Sequence, residues 1–179
     1  MPSPIAHSVS GYVLAKLLPW EVFSGERLNL GYLETFYGVF VAIAADFDFI
    51  PQLITGVRFH RGFSHSLFFA LAFSIIIAWL WSYFRHSNYL KTWLFTFFIY
   101  SSHLLLDFFT KGGSGMQLFW PFSDNLYQAS VSIFPQVHHS RGLFDPSHWV
   151  FISFELVYTI ILLGIIWIWQ SFKNKRIKT

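Results

Sequence analysis

Leu67-Phe-Phe-Ala-Leu-Ala-Phe73, followed by Ile75-Ile-Ile-Ala-Trp-Leu-Trp81, is the stretch whose reading decides the fold. From Gly62 to Phe84 the chain carries no Asp, Glu, Lys or Arg. An α-helix of that length crosses about 30 Å of hydrocarbon, so residues 66–84 read as a transmembrane helix. Outward from it, 149–172 is interrupted only by Glu155 and reads the same way. Segment 91–110 is apolar until His103 and Asp107, near its far end. Segment 29–48 carries Glu34 near its start and Asp46 and Asp48 near its end. Residues 4–19 form a shorter apolar stretch that holds His7 and Lys16, either a short span or an interfacial helix. Residues 111–148 differ in kind: Gly112-Gly-Ser-Gly115, Trp120-Pro-Phe-Ser123 and Asp145-Pro-Ser-His148 are turn chemistry. The expected architecture is all-α: one membrane domain over 1–179, a polytopic helix bundle with four or five membrane segments and an outer loop or cap.

Composition agrees. The 179 residues are 54% hydrophobic and 22% aromatic but only 12% charged, against about 25% charged in a soluble domain. The net charge of +3 comes without a basic stripe, so nucleic-acid binding is not expected. Cysteine is absent, which excludes disulfides and thiolate ligands. No basic region precedes an apolar stretch at Met1-Pro-Ser-Pro4, so no cleavable signal peptide is expected.

Charge also sets an expected topology. Lys16, Arg27, Arg85, Lys91, Lys173, Lys175, Arg176 and Lys178 flank the spans on one side; Arg58, Arg61, Lys111 and Arg141 fall on the other. The positive-inside rule puts the first group in the cytoplasm. With five segments this gathers His7, Asp46, Asp48, His60, His65, His103 and Asp107 at the outer face.

Ionisable residues near a bilayer are expensive and read as functional, and His and Asp are transition-metal ligands. His103 and Asp107, four apart, share one helix face. They can grip one metal, or Asp107 can bridge two; a mutual hydrogen bond is the plainer alternative. Asp46 and Asp48 close a helix before Pro51, where a divalent cation would relieve their repulsion. On a helix i and i+2 diverge, so one is expected to be a ligand and the other its supporting partner. His60 and His65 bracket Arg61-Gly-Phe-Ser64. Ser64 is a candidate N-cap for the following helix. Arg61 matches an anionic substrate such as phosphate, or snorkels as an interfacial cation. His138, His139, His148 and Glu155 are possible additional site residues, with an interface anchor and a helix–helix hydrogen bond as alternatives for the last two.

Ala6-His7, Ala45-Asp46-Phe-Asp48, His60-Arg-Gly-Phe-Ser-His65-Ser66, Ser102-His103-Leu-Leu-Leu-Asp107 and Trp120-Pro-Phe-Ser123 together resemble the YdjM-like family of bacterial membrane-bound, metal-dependent hydrolases. They extend over about two thirds of the chain and keep the family's order. The family has Leu-Pro-Asp-x-Asp where this chain has Ala-Ala-Asp-x-Asp. Without that proline the helix is expected to run one turn further, and which aspartate is the ligand is left open. A more distant similarity is to the zinc-dependent phospholipase C and P1 nuclease helical fold, on the order of His7, Asp48, His65, His103 and Asp107.

The resemblance implies a hydrolase at the outer interface of a bacterial plasma (inner) membrane, with one or two divalent ions, most naturally zinc. His7, Asp48, His65, His103 and Asp107 would be the ligands. Asp46 and His60 would orient ligands or act as general base, and Arg61 would hold the substrate anion. A phosphoester of a lipid or lipid-linked molecule fits a site that faces headgroups. Two other readings are weighed: a non-enzymatic protein in which a metal ties helices together, and a transporter or proton relay. The relay predicts ionisable groups along the bundle's depth, whereas within the spans only Glu34 and Glu155 stand away from one end.

Overall fold

The computed structural model describes residues 3–18, 31–56, 60–110, 114–135 and 146–177. Among the described residues six α-helices carry the architecture: α1 (Pro4–Leu17), α2 (Gly31–Ile43), α3 (Phe49–Thr55), α4 (Leu67–Arg85), α5 (Tyr89–Phe108) and α6 (Ser147–Ile177). Short 3₁₀ turns at Ala44–Asp48 and Phe63–His65 complete it. Among the described residues there is no strand; segment 114–135 is turns, tied by isolated bridges between Met116 and Tyr127 and between Thr110 and Phe134. The helical ranges follow the expected segments to within a few residues at most ends. The exceptions are α6, which runs to Ile177, and α2, which is continued beyond its expected end.

That continuation follows the missing proline. α2 passes through the 3₁₀ turn straight into α3, so helical structure runs past Asp48 to Thr55. Pro51 is tolerated because it falls in the first turn of α3, where its missing N–H has no intrahelical partner to lose. Gly56, with φ of 68°, ends the run in the left-handed conformation that glycine adopts without a Cβ penalty.

Three of the helices begin where a side chain satisfies a free N–H group. The Ser3 hydroxyl accepts from Ile5 N at 3.1 Å, with Pro4 behind it. Asn88 accepts from Lys91 N at 3.1 Å. The cap of α4 is Ser66, whose Oγ accepts from Phe69 N at 3.0 Å. This corrects the expectation for Ser64, whose hydroxyl is used elsewhere.

Among the described residues three helices are long and apolar enough to cross a membrane: Tyr32–Thr55, Leu67–Arg85 and His148–Lys173. Of the four or five expected segments, the other two are of different character. α1 is 14 residues long, about 21 Å. α5 reaches about 30 Å but buries a polar face of Thr92, Thr96, His103 and Asp107. A small-residue seam seats α1 on α2. A Cβ added to Gly11 would lie 2.5 Å from the Ala42 methyl and 2.7 Å from the Gly38 carbonyl oxygen; one added to Gly38 would lie 2.7 Å from the Ala15 methyl. Gly11 with Ala15, and Gly38 with Ala42, are the small-xxx-small pattern that lets membrane helices touch backbone to backbone. Beside the seam, Phe95, Ile99, Tyr100 and Leu104 of α5 pack against Tyr37, Val41 and Ala45.

Candidate metal centre

The helix termini at one end of this bundle bring eight ionisable side chains together. α1 supplies His7; the 3₁₀ turn after α2 supplies Asp46 and Asp48. The turn before α4 supplies His60, Arg61 and His65, and Asp107 comes with His103 from the last turns of α5. The expected i, i+4 pairing on α5 is present, with both side chains buried.

At the centre two imidazole nitrogens face each other: His65 Nε2 and His103 Nε2 are 3.2 Å apart. Their outer nitrogens are committed elsewhere. His103 Nδ1 lies 2.7 Å from the Ala42 carbonyl oxygen, a pure acceptor, so Nδ1 carries the hydrogen. His65 Nδ1 lies 3.1 Å from Asp48 Oδ2 and points the same way. In neutral rings both Nε2 atoms are then bare lone pairs, and two lone pairs at this distance repel unless a proton or a cation lies between them. Two nitrogens bound tetrahedrally to one zinc stand about 3.3–3.4 Å apart, close to what is seen.

Carboxylates surround the pair. Asp107 Oδ2 is 3.4 Å from His65 Nε2, and Asp46 Oδ1 is 3.6 Å from His103 Nε2 and 3.9 Å from His65 Nε2. His7 stacks on His103, ring centres 3.7 Å apart, with its Nε2 3.4 Å from Asp107 Oδ1. Both ring nitrogens of His7 and both oxygens of Asp46 and of Asp107 are buried without a hydrogen-bond partner. Orphaned buried polar atoms are rare and ask for an explanation. Two ligand groups describe the set: His7, His103 and Asp107, and Asp46, His60 and His65. Three carboxylates against one guanidinium leave a formal charge of −2 when the imidazoles are neutral, which a divalent cation would neutralise. The residues therefore fit a metal.

The two aspartates of Asp46-Phe-Asp48, between which the sequence left the ligand open, stand in different surroundings. Asp48 is saturated: its Oδ2 accepts from Ser64 Oγ at 2.5 Å and from Arg61 N at 3.2 Å, and its Oδ1 is 2.8 Å from His60 Nδ1. It orients the rings of His60 and His65. Asp46 makes no hydrogen bond through either oxygen, and its Oδ1 is the one near the Nε2 pair. Burial lowers the His65 imidazole, but the Asp107 and Asp48 carboxylates outweigh it and push it up to about 9.

Arg61 is buried with φ of 64°, a left-handed conformation that costs a non-glycine residue energy and clusters at functional sites. Its Nε is 3.3 Å from Asp107 Oδ2, and its guanidinium also donates to the Asp107 carbonyl oxygen at 3.4 Å. The turn carrying it is held from outside. Gln52 Oε1 accepts from His60 N at 3.1 Å, the Arg61 carbonyl accepts from Gln117 N at 3.1 Å, and Tyr100 Oη donates to the Ser64 carbonyl at 2.8 Å.

Other expected residues are not part of the cluster. Glu155 lies on α6, where both its oxygens accept from Ser3, one from the backbone N–H and one from the hydroxyl. It is a helix–helix hydrogen bond at the N-terminus of α1, where the helix dipole favours an anion. His148, in the first turn of α6, belongs to neither ligand group. His138 and His139 lie outside the described residues. Sequence reasoning missed Gln52 and Ser64 as supports. Gln52 stands four residues after Asp48, and Ser64 is adjacent to His65, so both carried a spacing signal.

All-helical, with three membrane-length helices and a buried His/Asp cluster at one end, the chain is a helical membrane protein. It belongs to the YdjM inner membrane protein family, whose model matches residues 1–177, and this together with the apolar helices supports a bacterial inner-membrane location. It is also similar to inner membrane protein YbcI of Escherichia coli (strain K12), 31% identical over 178 residues that cover 93% of this chain and 98% of that one. No solved structure matches significantly, so the distant similarity to the phospholipase C and P1 nuclease fold finds no support.

Proposed function

We propose that the protein is a metal-dependent hydrolase embedded in the inner membrane, cleaving a phosphoester of a lipid or lipid-linked substrate on the extracytoplasmic side. In this reading α1 and α5 complete a bundle of five membrane segments. The observation that carries the proposal is the pair of Nε2 atoms at 3.2 Å, each with its Nδ1 committed outward.

His65, His103, Asp46 and Asp107 are the ligands about that point, and His7 with the second oxygen of Asp107 offers a place for another ion, so one or two zinc ions are accommodated. A bound zinc supplies Lewis acidity, stabilising charge on phosphoryl oxygens and making water a stronger acid. The protein's own groups do the rest. Asp48 holds the His60 and His65 rings through their Nδ1 atoms, which turns each Nε2 inward. His60, whose ring is partly exposed, is the general base for the attacking water. Arg61 fixes Asp107 and faces the substrate's anionic oxygens, the role in which a guanidinium is strongest.

The test is metal analysis of purified protein with turnover of phosphoester lipids. One to two equivalents of zinc are expected, lost on His103→Ala together with chelator-sensitive hydrolysis. Below about half an equivalent in the native chain, with no change in His103→Ala, the proposal is wrong. A purely structural metal is favoured by the complete burial of His7, His65, His103 and Asp107. That reading predicts the same metal content and no hydrolysis of any phosphoester.

A further inference from the structure

We propose that the mouth of the His/Asp cluster opens sideways into the bilayer across α3, so that the ligand it admits is a membrane amphiphile with a phosphate head. The phosphate rests on the hydrolase reading above; the route does not.

Four of the site side chains, His7, His65, His103 and Asp107, are fully covered, and Asp48 and Arg61 keep only 3% and 4% exposure. Asp46 and His60 keep the most exposure, each at 12%, with the Asp46 oxygens themselves covered. Access to the cluster therefore passes these two, and both abut α3. Asp46 lies three residues before it. The His60 backbone N–H donates to Gln52 of α3, and the Phe49 ring meets the His60 ring edge-on at 6.0 Å.

α3 buries none of its residues. Phe49, Ile50, Leu53 and Ile54 are exposed, Ile54 at 79%, and Phe47 and Phe63 extend the apolar lip. Between Asp48 and Arg58 there is no ionisable residue. An apolar surface on a short helix with no protein packed over it is unstable in water and stable in lipid. What covers it follows from continuity: α3 is the last part of one membrane-length helical run, Tyr32–Thr55. Its seven residues carry that run about 10 Å beyond Asp48. Acyl chains that surround α2 thus surround α3 as well, and the cluster lies below the outer limit of the hydrocarbon. A head group reaches Asp46 and His60 by sliding along the lip while its chain stays among Ile50, Leu53 and Ile54.

The chain has no cysteine, so Leu53→Cys and Ile54→Cys each give a single nitroxide site in the full-length protein reconstituted into phosphatidylcholine vesicles. Collisions with oxygen exceeding those with a water-soluble nickel chelate are expected at both. Nickel collisions equal to or above oxygen, or protection from both by another protein surface, overturn the proposal. In a second arm, dioleoyl phosphatidic acid in the same vesicles and glycerol 3-phosphate in solution offer the same phosphomonoester. Turnover of the lipid is expected to exceed the soluble compound by about tenfold or more, because remote binding energy is spent at the reacting centre. The double variant Leu53→Asn/Ile54→Asn should cut lipid turnover about fivefold at unchanged zinc content. Equal rates on the two substrates overturn the lateral route and leave the hydrolase intact. Hydrolysis of neither, by zinc-loaded protein, removes the hydrolase reading, and the nitroxide depths then decide the route alone.

Discussion

Asp46→Asn and Asp48→Asn are expected to move the metal-stripped protein in opposite directions. Asp48 takes hydrogen bonds from Ser64 Oγ at 2.5 Å and Arg61 N at 3.2 Å, and its oxygens lie 2.8 and 3.1 Å from the Nδ1 atoms of His60 and His65. A hydrogen bond to a charged acceptor contributes about 1.5–3 kcal/mol. An amide keeps one oxygen and turns the other into a donor, so about half of these contacts are lost, at a cost of about 3 kcal/mol. For a chain of this length that is about 6–12 °C of melting temperature. Asp46 has the reverse environment: its oxygens meet no donor. Removing its charge leaves the stripped protein unchanged or steadier by about 1 kcal/mol. Zinc affinity ranks the other way, falling about 100-fold or more for the lost ligand Asp46 and about 10–100-fold for the orienting Asp48. Tryptophan fluorescence melts of chelator-treated protein at one scan rate, with zinc titrations beside them, read both quantities. If Asp46→Asn melts as early as Asp48→Asn, the assignment of the two carboxylates is refuted.

Zinc affinity should rise with pH from about 6.5 to 9, by up to about tenfold per unit, as read by competition with a chromogenic chelator. The His65 imidazole is pushed up to about 9 by its carboxylates, so zinc must displace a proton over that range. By the same sign, the contribution of His65 to the stripped fold is full below about 6.5 and lost as pH rises through about 9. Gly38→Val should lower the melting temperature sharply and loosen zinc, because the new side chain meets Ala15 and the α1 backbone. Gly164→Ala, where nothing lies within 4 Å, is the neutral control. Glu155→Ala should cost about 1.5–3 kcal/mol of stability and leave zinc content at its native value; loss of zinc at full stability would instead make it a ligand.

The bundle was legible because its apolar runs are long: the stretch from Gly62 to Phe84, free of acidic and basic side chains, has no reading other than a membrane helix. Its stops were less so, since the cap of α4 is Ser66 rather than Ser64 and the run through Asp48 ends only at Gly56. That His7, Asp46, His65, His103 and Asp107 would gather at one end was legible because imidazoles and carboxylates are costly in hydrocarbon. The division of labour within the site was not. Which oxygen of Asp46 or Asp48 meets a donor depends on the turn that carries Ser64 and Arg61, and that turn is fixed by Tyr100, Gln52 and Gln117, remote in sequence. Glu155 was ambiguous because its partner, Ser3, is 152 residues away.

The missing proline joins these threads. A helix of 3.6 residues per turn points i and i+2 about 160° apart, whereas a 3₁₀ turn of three residues brings them to about 120°, close enough for both to reach one cluster from adjacent sides. Ala44–Asp48 is 3₁₀, so Asp46 can face the Nε2 pair while Asp48 reaches behind it to the Nδ1 atoms. Alanines at 44 and 45, both buried against the core, let the chain tighten there without a side chain in the way. Because nothing breaks the helix at that point, it continues as α3 and places an apolar lip beside the open groups of the site. One local feature thus gives the two carboxylates different surroundings, and also sets an exposed apolar helix beside the cluster.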